Sequence, residues 1–592
     1  MKKLFLHITL FFSFICFSQN EQLAQYYYDK GDFEKAKIGY QELLESVPQN
    51  QQYFLRTIDC YQQLKQFDLA EKAISNRLKQ YNQANILVEL GYNYQLQKND
   101  SKAKACYNQA IDKINLNAYE VYAVAQSFEK KVLLEEALRA YEAAELKMPN
   151  LNFNFQKGLL YGQLGNLEKM IDTFLDEAYK NPQNSILIQS QMSRFMTGEG
   201  DANFSDLLRK ALVIRVQKSQ DIFWNRYLSW FYVQQKEFSK AFIQEKSIYK
   251  RNDTSLSNIV NLAQLSIEEE DTETAKMILD FVLENSKDLE LLLQANTYLI
   301  KMKINKAVPK DYEAINLELE ALLKQYEITP FSLSLQLIQA HFVAFNLKKP
   351  EVAKAIVNKA LDLQLSNYQQ AQVKMELADI FLFEEKFNQA LLYYSQIELD
   401  LKNDAVAHEA SLKAAKTSYF KADFSWALKQ FKELKSASTQ LIANDALEYF
   451  LLINDNTVAD STQTALKEFA IGDYLLYQNR NDKAIAQFQS ILKKFKGQEI
   501  EPVTLLRLGK VFEKLGDFPS ALSQYQTIIT EHSDGIYIDE ALFFSAEIYN
   551  KKLKTPEMAK PLYEKILFNH EDSIYFVEAR KSFRTLRGDN NL

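Results

Sequence analysis

The sequence predicts an all-α solenoid (superhelix) of about 14 helical hairpins closed by a C-terminal capping helix. Three observations lead to this fold class. Apolar residues recur at helical spacing on both sides of a tight turn in residues 501–535. Alanines repeat every 33 to 34 residues in the first part of the chain and every 37 to 38 in the last part. The chain also has only 14 Gly and 10 Pro, which leaves little material for linkers between separate domains.

Residues 501–535 show the repeating unit most clearly. Leu505, Leu508, Gly509 and Phe512 form the apolar stripe of a first helix, and Phe518, Ala521, Leu522 and Tyr525 form that of a second. Gly516-Asp517 separates the two stripes and predicts a turn. Gly509 and Ala521 are small where two antiparallel helices would cross, so the larger side chains can interdigitate around them. One hairpin cannot bury its apolar face alone, so neighbouring hairpins must stack.

This unit resembles a tetratricopeptide (TPR) repeat. Its eighth position is small, its twentieth is alanine and its twenty-fourth is aromatic. The resemblance implies a stack in which each first helix lines a concave inner surface.

The first 18 residues are typical of a secretory signal peptide. Lys2 and Lys3 precede an apolar run from Leu4 to Ile15, and Ser18 offers a small residue for cleavage. The alternative is lipidation at Cys16, but the bulky Phe14 and Ile15 before it disfavour that modification. No later segment reaches the roughly 18 apolar residues of a membrane span. We therefore expect an exported, periplasmic chain without a transmembrane segment.

The chain in order divides as follows. Residues 19–182 are predicted to form five regular repeats, whose second helices open at Ala36, Ala70, Ala103, Ala137 and Met170. Residues 183–329 are degenerate repeats, with an interruption at Thr197 to Asp201, a loop at Lys303 to Lys310 and a hinge placed at 287–329. Residues 330–460 are longer repeats around Ala353, Ala390 and Ala427, ending in a broken unit at Asn444 to Asp460. Residues 461–573 are C-terminal repeats around Ala484, Ala521 and Ala559, and residues 574–592 are the capping helix and tail.

The C-terminal repeats are similar to the longer TPR repeats of outer-membrane assembly lipoproteins and periplasmic cell-division coordinators. The resemblance rests on the linkers His532-Ser533-Asp534-Gly535 and His570-Glu571-Asp572-Ser573, and on Glu578-Ala579-Arg580 in the cap. It covers about the last hundred residues, and it implies a cell-envelope compartment.

Little in the sequence indicates chemistry. The histidines are far apart and lack neighbouring ligands, and phosphate loops and nucleophile elbows are missing, so we expect no enzyme, no metal and no cofactor. His341 falls at a helix crossing and is interpreted as a packed side chain. Cys60 and Cys106 lie within predicted helices and are expected to be buried free thiols rather than a disulfide. A net charge of −7 without a basic block argues against nucleic acid.

The predicted inner surface of the first half is rich in aromatic and amide side chains. The resemblance to TPR repeats places these residues there, and aromatic side chains with a polar edge suit protein contacts. The candidates for a partner-binding groove are Tyr28, Tyr92, Tyr119, Tyr122, Phe155 and Trp230. The alternative is that several of them only pack between helices.

A second candidate is a basic patch near the C-terminus. Arg507, Lys510 and Lys514 share one helix face, and Lys551 and Lys552 hold the matching place in the next unit. These cations could receive an acidic peptide, or they could form a solvated face.

The leading functional hypothesis is a non-catalytic periplasmic scaffold for an envelope assembly, secretion or cell-wall machine. Its partners would be other envelope proteins or peptides, and an indirect association with the outer membrane is left open. The alternative is a soluble receptor or escort that binds a small molecule, a glycan or an unfolded client inside the superhelix.

Overall fold

The computed structural model describes residues 20–196, 201–219, 221–252, 255–402, 404–437, 439–458 and 462–588. All regular secondary structure in these ranges is helical, which confirms the all-α class. The predicted signal peptide with Cys16 lies outside the described residues, as do residues 197–200 of the predicted interruption and the last four residues of the tail.

The chain divides into two compact units, Met1–Ser219 and Gln220–Leu592. The first unit contains α1 (20–29), α2 (Phe33–Ser46), α3 (Gln51–Gln63), α4 (Phe67–Tyr81), α5 (Ala84–Leu96), α6 (Asp100–Leu116), α7 (Val121–Lys130), α8 (Leu134–Lys147), α9 (Asn154–Gln163), α10 (Leu167–Lys180), α11 (Ser185–Met196) and α12 (Asp201–Lys218).

The second unit begins with α13 (Ile222–Gln234), α14 (Phe238–Asn252), α15 (Ser257–Glu268), α16 (Thr272–Asn285), α17 (Leu289–Lys306), α18 (Tyr312–Tyr326), α19 (Leu333–Phe345), α20 (Pro350–Leu361), α21 (Asn367–Phe383), α22 (Phe387–Asp400), α23 (Ala405–Phe420) and α24 (Phe424–Ala437). It continues with α25 (Gln440–Val458), α26 (Thr464–Tyr477), α27 (Asn481–Lys494), α28 (Ile500–Lys514), α29 (Phe518–Glu531), α30 (Ile538–Glu547), α31 (Pro556–Asn569) and α32 (Phe576–Arg587).

Consecutive helices pair into hairpins, except for α25 and the predicted cap α32. Within each unit, first helices pack on first helices, as α5 does on α7 and α21 on α23, and second helices on second helices, as α6 does on α8. Neighbouring hairpins therefore stack as the sequence predicts, and the α-solenoid is confirmed. The loop predicted at Lys303 to Lys310 is shorter than expected, because α17 extends to Lys306 and a 3-10 turn follows at Pro309–Asp311.

One residue with a left-handed backbone conformation recurs at the turn of most described hairpins. The prediction recognised only glycine turns, such as Gly31 and Gly516, but most of these positions hold other residues, including Lys65, Lys98 and Val132. At the turn after α5, Lys98 N–H donates to Gln95 O and Asn99 N–H donates to Tyr94 O. This Schellman pattern satisfies the last carbonyls of the first helix, which offsets the steric cost of a left-handed side chain.

Small residues at the helix crossings meet an aromatic ring sixteen positions later. A Cβ added to Gly91, Gly158, Gly472 or Gly509 would overlap the ring of Tyr107, Phe174, Phe488 or Tyr525, respectively. These rings are almost fully buried. The glycines therefore let the first helix approach the second closely enough to cover the ring on both sides.

The last described hairpin contains a wide turn at Ile548–Lys552. There Leu553 N–H donates to Ile548 O, five residues back. Ala521 and Ala559 are 38 residues apart, one more than Ala484 and Ala521. The wide turn accommodates this extra residue without changing the helix crossing.

Helix α26 departs from simple stacking, because it packs back on α21 and α23 as well as on α25. Tyr474 Oη donates to Leu382 O at 2.7 Å, and Gln478 Nε2 donates to Phe383 O at 2.8 Å. These contacts join residues more than ninety positions apart, so the first-helix face of this region is partly covered by the chain itself.

Candidate functional site

An ion cluster joins three successive first helices in the first unit. Lys131 Nζ lies 2.7 Å from Asp59 Oδ1 and 3.1 Å from Glu89 Oε2. Burial raises the pKa of Glu89 despite the opposing charge of Lys131. Burial alone would lower the pKa of Lys131, but the two carboxylates outweigh it and raise that pKa. The cluster therefore holds the hairpins of α3, α5 and α7 in register.

Two of the predicted groove residues, Tyr28 and Tyr92, contact this cluster. Tyr28 Oη donates to Asp59 at 3.4 Å, and the Arg56 guanidinium lies 4.2 Å from the Tyr28 ring centroid. Lys131 Nζ lies 4.8 Å from the centroid of Tyr92. Both rings are half-buried and already have partners within the chain.

The predicted groove residues Tyr119 and Tyr122 are open to solvent. Their exposed fractions are 59% and 56%, and Tyr122 packs edge-on against Phe153 at a centroid distance of 5.7 Å. Tyr119 lies in the 3-10 turn that precedes α7, and Tyr122 lies in its first turn. The structure therefore places two exposed aromatic rings close together at the start of one first helix.

The other two predicted groove residues are half-buried against aromatic rings, Phe155 on the neighbouring helix α10 and Trp230 within its own helix α13. Phe155 is half-buried with its ring 6.0 Å from that of Phe174, and Trp230 is half-buried with its ring 5.9 Å from that of Tyr227. Trp230 also belongs to the second unit, whereas the other five residues belong to the first. The six residues are therefore not assembled into one site within either unit.

A cleft of about 410 Å³ opens on the first-helix face of the second unit. It is lined by side chains from α19, α21, α22, α23, α25, α26 and α28, namely His341, Asp379, Leu382, Tyr394, Lys413, Lys416, Phe420, Tyr449, Asp473, Leu476, Tyr477 and Arg507. We call it the charged cleft.

Two buried carboxylates organise the charged cleft. Asp379 accepts hydrogen bonds from Tyr394 Oη at 2.5 Å and from Lys413 Nζ at 2.7 Å. Asp473 accepts one from Tyr419 Oη at 3.2 Å and pairs with Arg507 Nε at 3.2 Å. Burial raises the pKa of Asp473, and Arg507 and Tyr419 oppose that rise. Asp379 thus joins the consecutive helices α21, α22 and α23, and Asp473 joins α26 to α23 and α28.

His341 lies at the edge of the charged cleft, and its interpretation as a packed side chain is confirmed only in part. The imidazole stacks on Phe345 at 4.2 Å, and its Nδ1 lies 3.1 Å from Glu376 Oε1, yet the side chain remains 50% exposed. Burial lowers the pKa of His341, but the hydrogen bond and charge of Glu376 outweigh it, so the net pKa is raised.

The predicted basic patch also differs from the expectation. Arg507 is only 20% exposed and is paired with Asp473 and Glu448, because its helix face turns into the charged cleft. Lys551 is paired with Glu547. The exposed lysines Lys514 and Lys552 share the patch with Lys510, which lies 5.1 Å from the Phe544 ring centroid. Burial lowers the pKa of Lys510.

Carboxylates further reduce the positive charge of this patch. Glu513 accepts a hydrogen bond from Tyr525 Oη at 3.2 Å, and Glu547 accepts one from Tyr563 Oη at 2.5 Å. Both glutamates lie on the same helix face as the lysines. Binding of an acidic ligand there stays a prediction.

Sequence reasoning missed the residues of the charged cleft. A usable signal existed, because Asp379, Lys416 and Asp473 each directly follow the small residue at a helix crossing. The residue after the small one lies on the first-helix face, where an uncharged side chain would need no partner. Charged residues there indicate pairing across hairpins.

Three further observations concern the described part of the chain. It contains no group of three or more His, Cys, Asp or Glu side chains arranged to hold a metal ion. None of its helices combines the length and the apolar content that crossing a bilayer requires. Cys60 and Cys106 are both free and buried, as predicted.

Comparisons with known proteins identify the repeats. Residues 84–112 and residues 469–536 each match a sequence family described as Tetratricopeptide repeat. TPR repeats are therefore present in both units, at α5–α6 and at α26–α29. No curated protein sequence shows significant similarity to this chain.

Two solved structures illustrate the structural similarities. The crystal structure of the APC/C hetero-tetramer Cut9-Hcn1 is 14% identical, with 92% of this chain and 98% of that chain covered and a TM-score of 0.25. The structure of Naa15/Naa10 bound to HypK-THB is 12% identical, with coverages of 97% and 92% and a TM-score of 0.27. At TM-scores this low, neither similarity informs the function of this chain.

The TPR matches support a protein-interaction scaffold, since stacked repeats present extended surfaces to protein partners. They also support a non-catalytic role.

Proposed function

We propose that this chain is a periplasmic scaffold that holds envelope proteins through the exposed tyrosine pair of its first unit. The observation that carries the proposal is the exposure of Tyr119 and Tyr122 at the N-terminal end of α7, the helix whose other end is held by the ion cluster. Tyrosine contributes a large apolar ring and a hydrogen-bonding hydroxyl at low entropic cost, and it is enriched among residues that dominate binding energy.

The rigidity of the surrounding surface favours binding without rearrangement. Lys131 connects Asp59 and Glu89 across three hairpins, and Phe153 supports the Tyr122 ring from below. A preformed surface loses little conformational entropy on association. The same reasoning favours a scaffold over a flexible carrier of unfolded clients.

The periplasmic setting and the envelope machine rest on the sequence. Lys2, Lys3 and the apolar run that follows them support export, and the C-terminal linker motifs resemble those of envelope TPR proteins. Cell fractionation of the producing bacterium tests this part. Recovery of the chain, with its first 18 residues still attached, in the cytoplasm would contradict it.

The docking surface is tested by placing a photo-cross-linking amino acid at position 122. The matched control is position 146 on α8 of the same hairpin, where Leu146 is 84% exposed on the second helix. We expect a discrete cross-linked partner from position 122 and none from position 146.

The partner recovered in this way is then tested for affinity. Tyr119→Ser with Tyr122→Ser should weaken binding by roughly a hundredfold, since two anchoring aromatics are lost. Leu146→Ser should leave affinity unchanged. Equal cross-linking from both positions, or full affinity of the double variant, would refute the proposed surface.

A further inference from the structure

We propose that the charged cleft of the second unit binds a small organic anion, with its carboxylate or phosphate group on Lys416 and Arg507 and its apolar body on the apolar part of the lining. This goes beyond the scaffold role, because it assigns a small-molecule site to a unit that the tyrosine pair does not involve.

The first step of the argument is a surplus of hydrogen-bond donors. Lys413 and Lys416 each carry three N–H groups, and Arg507 carries five. The carboxylates that line the cleft are only Asp379 and Asp473. Lys416 has one ion-pair partner among the described residues, Asp445 at 3.1 Å. Donors therefore remain for which the cleft itself supplies no acceptor.

The lining carboxylates have no free oxygen to accept hydrogen bonds from these donors. Both oxygens of Asp379 are already engaged, one by Tyr394 and the other by Lys413. Both oxygens of Asp473 are likewise engaged, by Tyr419 and by Arg507. The remaining donors face the open volume, where water or an anionic ligand would accept from them.

Carboxylates outside the lining only partly compensate. The largely buried Glu376 is engaged by His341 at 3.1 Å. Glu448 pairs with Arg507 at 3.1 Å and Glu409 pairs with Lys413 at 3.4 Å, but these two glutamates and Asp445 are about half-exposed. Ion pairs between such exposed groups are weak because solvent screens them. A ligand anion inside the cleft would interact with the same cations at lower dielectric and with less competition from water.

One wall of the cleft is apolar. Leu382, Phe420 and Leu476 line it together with the ring of Tyr477, which lies 5.9 Å from the Phe420 ring. An aromatic or aliphatic body on this wall would remove apolar surface from water while the anionic group contacts the cations. Ligand sites commonly combine a mostly apolar lining with a few convergent polar groups in this way.

The open volume distinguishes a site from a structural cross-link. Buried ion pairs that only fix helix register would be expected to close to the packing density of a protein interior. The cleft instead retains about 410 Å³, within the range that small-molecule sites occupy. Seven helices hold its walls, so its shape does not depend on one mobile segment.

The experiment uses the full chain and ligand-observed saturation-transfer NMR with phenylacetate as the probe. Phenylacetamide, its neutral isostere, and inorganic phosphate are measured in parallel. We expect millimolar binding of phenylacetate and at least roughly tenfold weaker binding of the amide, because it lacks the charge that meets the cations. If phosphate competes with phenylacetate, the anion site accepts either a phosphate or a carboxylate group. If phosphate does not compete, the ligands of this site are carboxylates.

Variants locate the binding within the molecule. Lys416→Met keeps the aliphatic stem and should weaken phenylacetate binding roughly tenfold, whereas Lys416→Arg should retain it. Lys432→Met is the matched control, since Lys432 is an exposed lysine on α24 outside the cleft lining. Circular dichroism checks that each variant remains helical.

The proposal is overturned if phenylacetate does not bind, if the amide binds equally well, or if Lys416→Met and Lys432→Met bind phenylacetate alike. A second measurement, on the unsubstituted chain, keeps the test independent of Lys416→Met. Phenylacetate should slow amide hydrogen exchange in α23 and α28 without affecting α9 of the first unit.

Discussion

Replacing Gly158 with alanine tests whether the crossing glycines are required by packing. A Cβ at this position would lie 2.5 Å from Cδ1 of Phe174, whose ring is fully buried and cannot turn away. Overpacking of this kind costs about 1–3 kcal/mol. Alanine in a helix interior recovers about 1 kcal/mol relative to glycine. The net expectation for Gly158→Ala is a loss of up to about 2 kcal/mol of local stability.

Gly162 provides the control within the same helix, α9. There a Cβ would lie 2.9 Å from Sδ of Met170, the flexible end of a side chain that can move. Gly162→Ala should therefore be neutral or stabilising by up to about 1 kcal/mol. Because long repeat arrays do not unfold as one unit, the measurement is amide hydrogen exchange in α9 and α10. If the amides of α9 and α10 exchange at the same rates in both variants, the packing argument fails.

Three further predictions concern the buried polar groups. Arg507→Met should destabilise the second unit by about 3–5 kcal/mol in denaturant unfolding, because it leaves Asp473 buried without its cation. Adding Asp473→Leu to Arg507→Met should restore most of the lost stability. A double variant that is as unstable as Arg507→Met alone would contradict the reasoning. The raised pKa of His341 means that its contribution to stability is fully present below its unfolded pKa of about 6.5 and is lost as pH rises through the folded value. The burial-raised pKa of Glu376 acts in the same direction, from about pH 4.5 upward. The thermal midpoint should therefore decline between about pH 6 and 8, with a shallower slope in His341→Gln, and an identical slope would exclude His341 as a source. Burial raises the pKa of Cys60 to about 12, so an aromatic disulfide reagent should label this thiol far more slowly in the folded chain than in denaturant, and equal rates would show that the site is open.

The repeat architecture could be predicted because it is encoded locally. The spacing of Leu505, Leu508 and Phe512 defines one face of a helix, and the alanine period sets the length of each hairpin. Both signals depend on residues within one repeat. The prediction of stacked hairpins is therefore confirmed, including the cap formed by α32.

The turns show how local signals can still be incomplete. Gly516 marked its turn because glycine adopts left-handed backbone without steric cost. Val132 occupies the same conformation, with φ of 58°, and gave no such signal. Its cost is offset by hydrogen bonds that the turn makes, and these become visible only when both helices are in place.

The candidate sites were predicted less completely because side-chain exposure is a property of the stack. Tyr119 and Tyr122 are exposed as a groove surface requires, whereas Phe155 packs on the neighbouring helix and Trp230 is half-buried against Tyr227 of its own helix. Arg507 carried the signature of a basic patch, but its partner Asp473 lies on a different first helix. A single repeat cannot show which of its outward positions another repeat will cover.

The sequence by itself determined the helices, the hairpin period and the small-residue crossings, since each depends on neighbours within about forty positions. Only the tertiary structure decided that α26 packs back on α21 and that the charged cleft forms between them. The contact of Tyr474 with Leu382 spans 92 positions, and no local periodicity specifies a contact at that separation. Electrostatic pairing and burial act through space, so the partners of Asp379 and Asp473 followed from the fold.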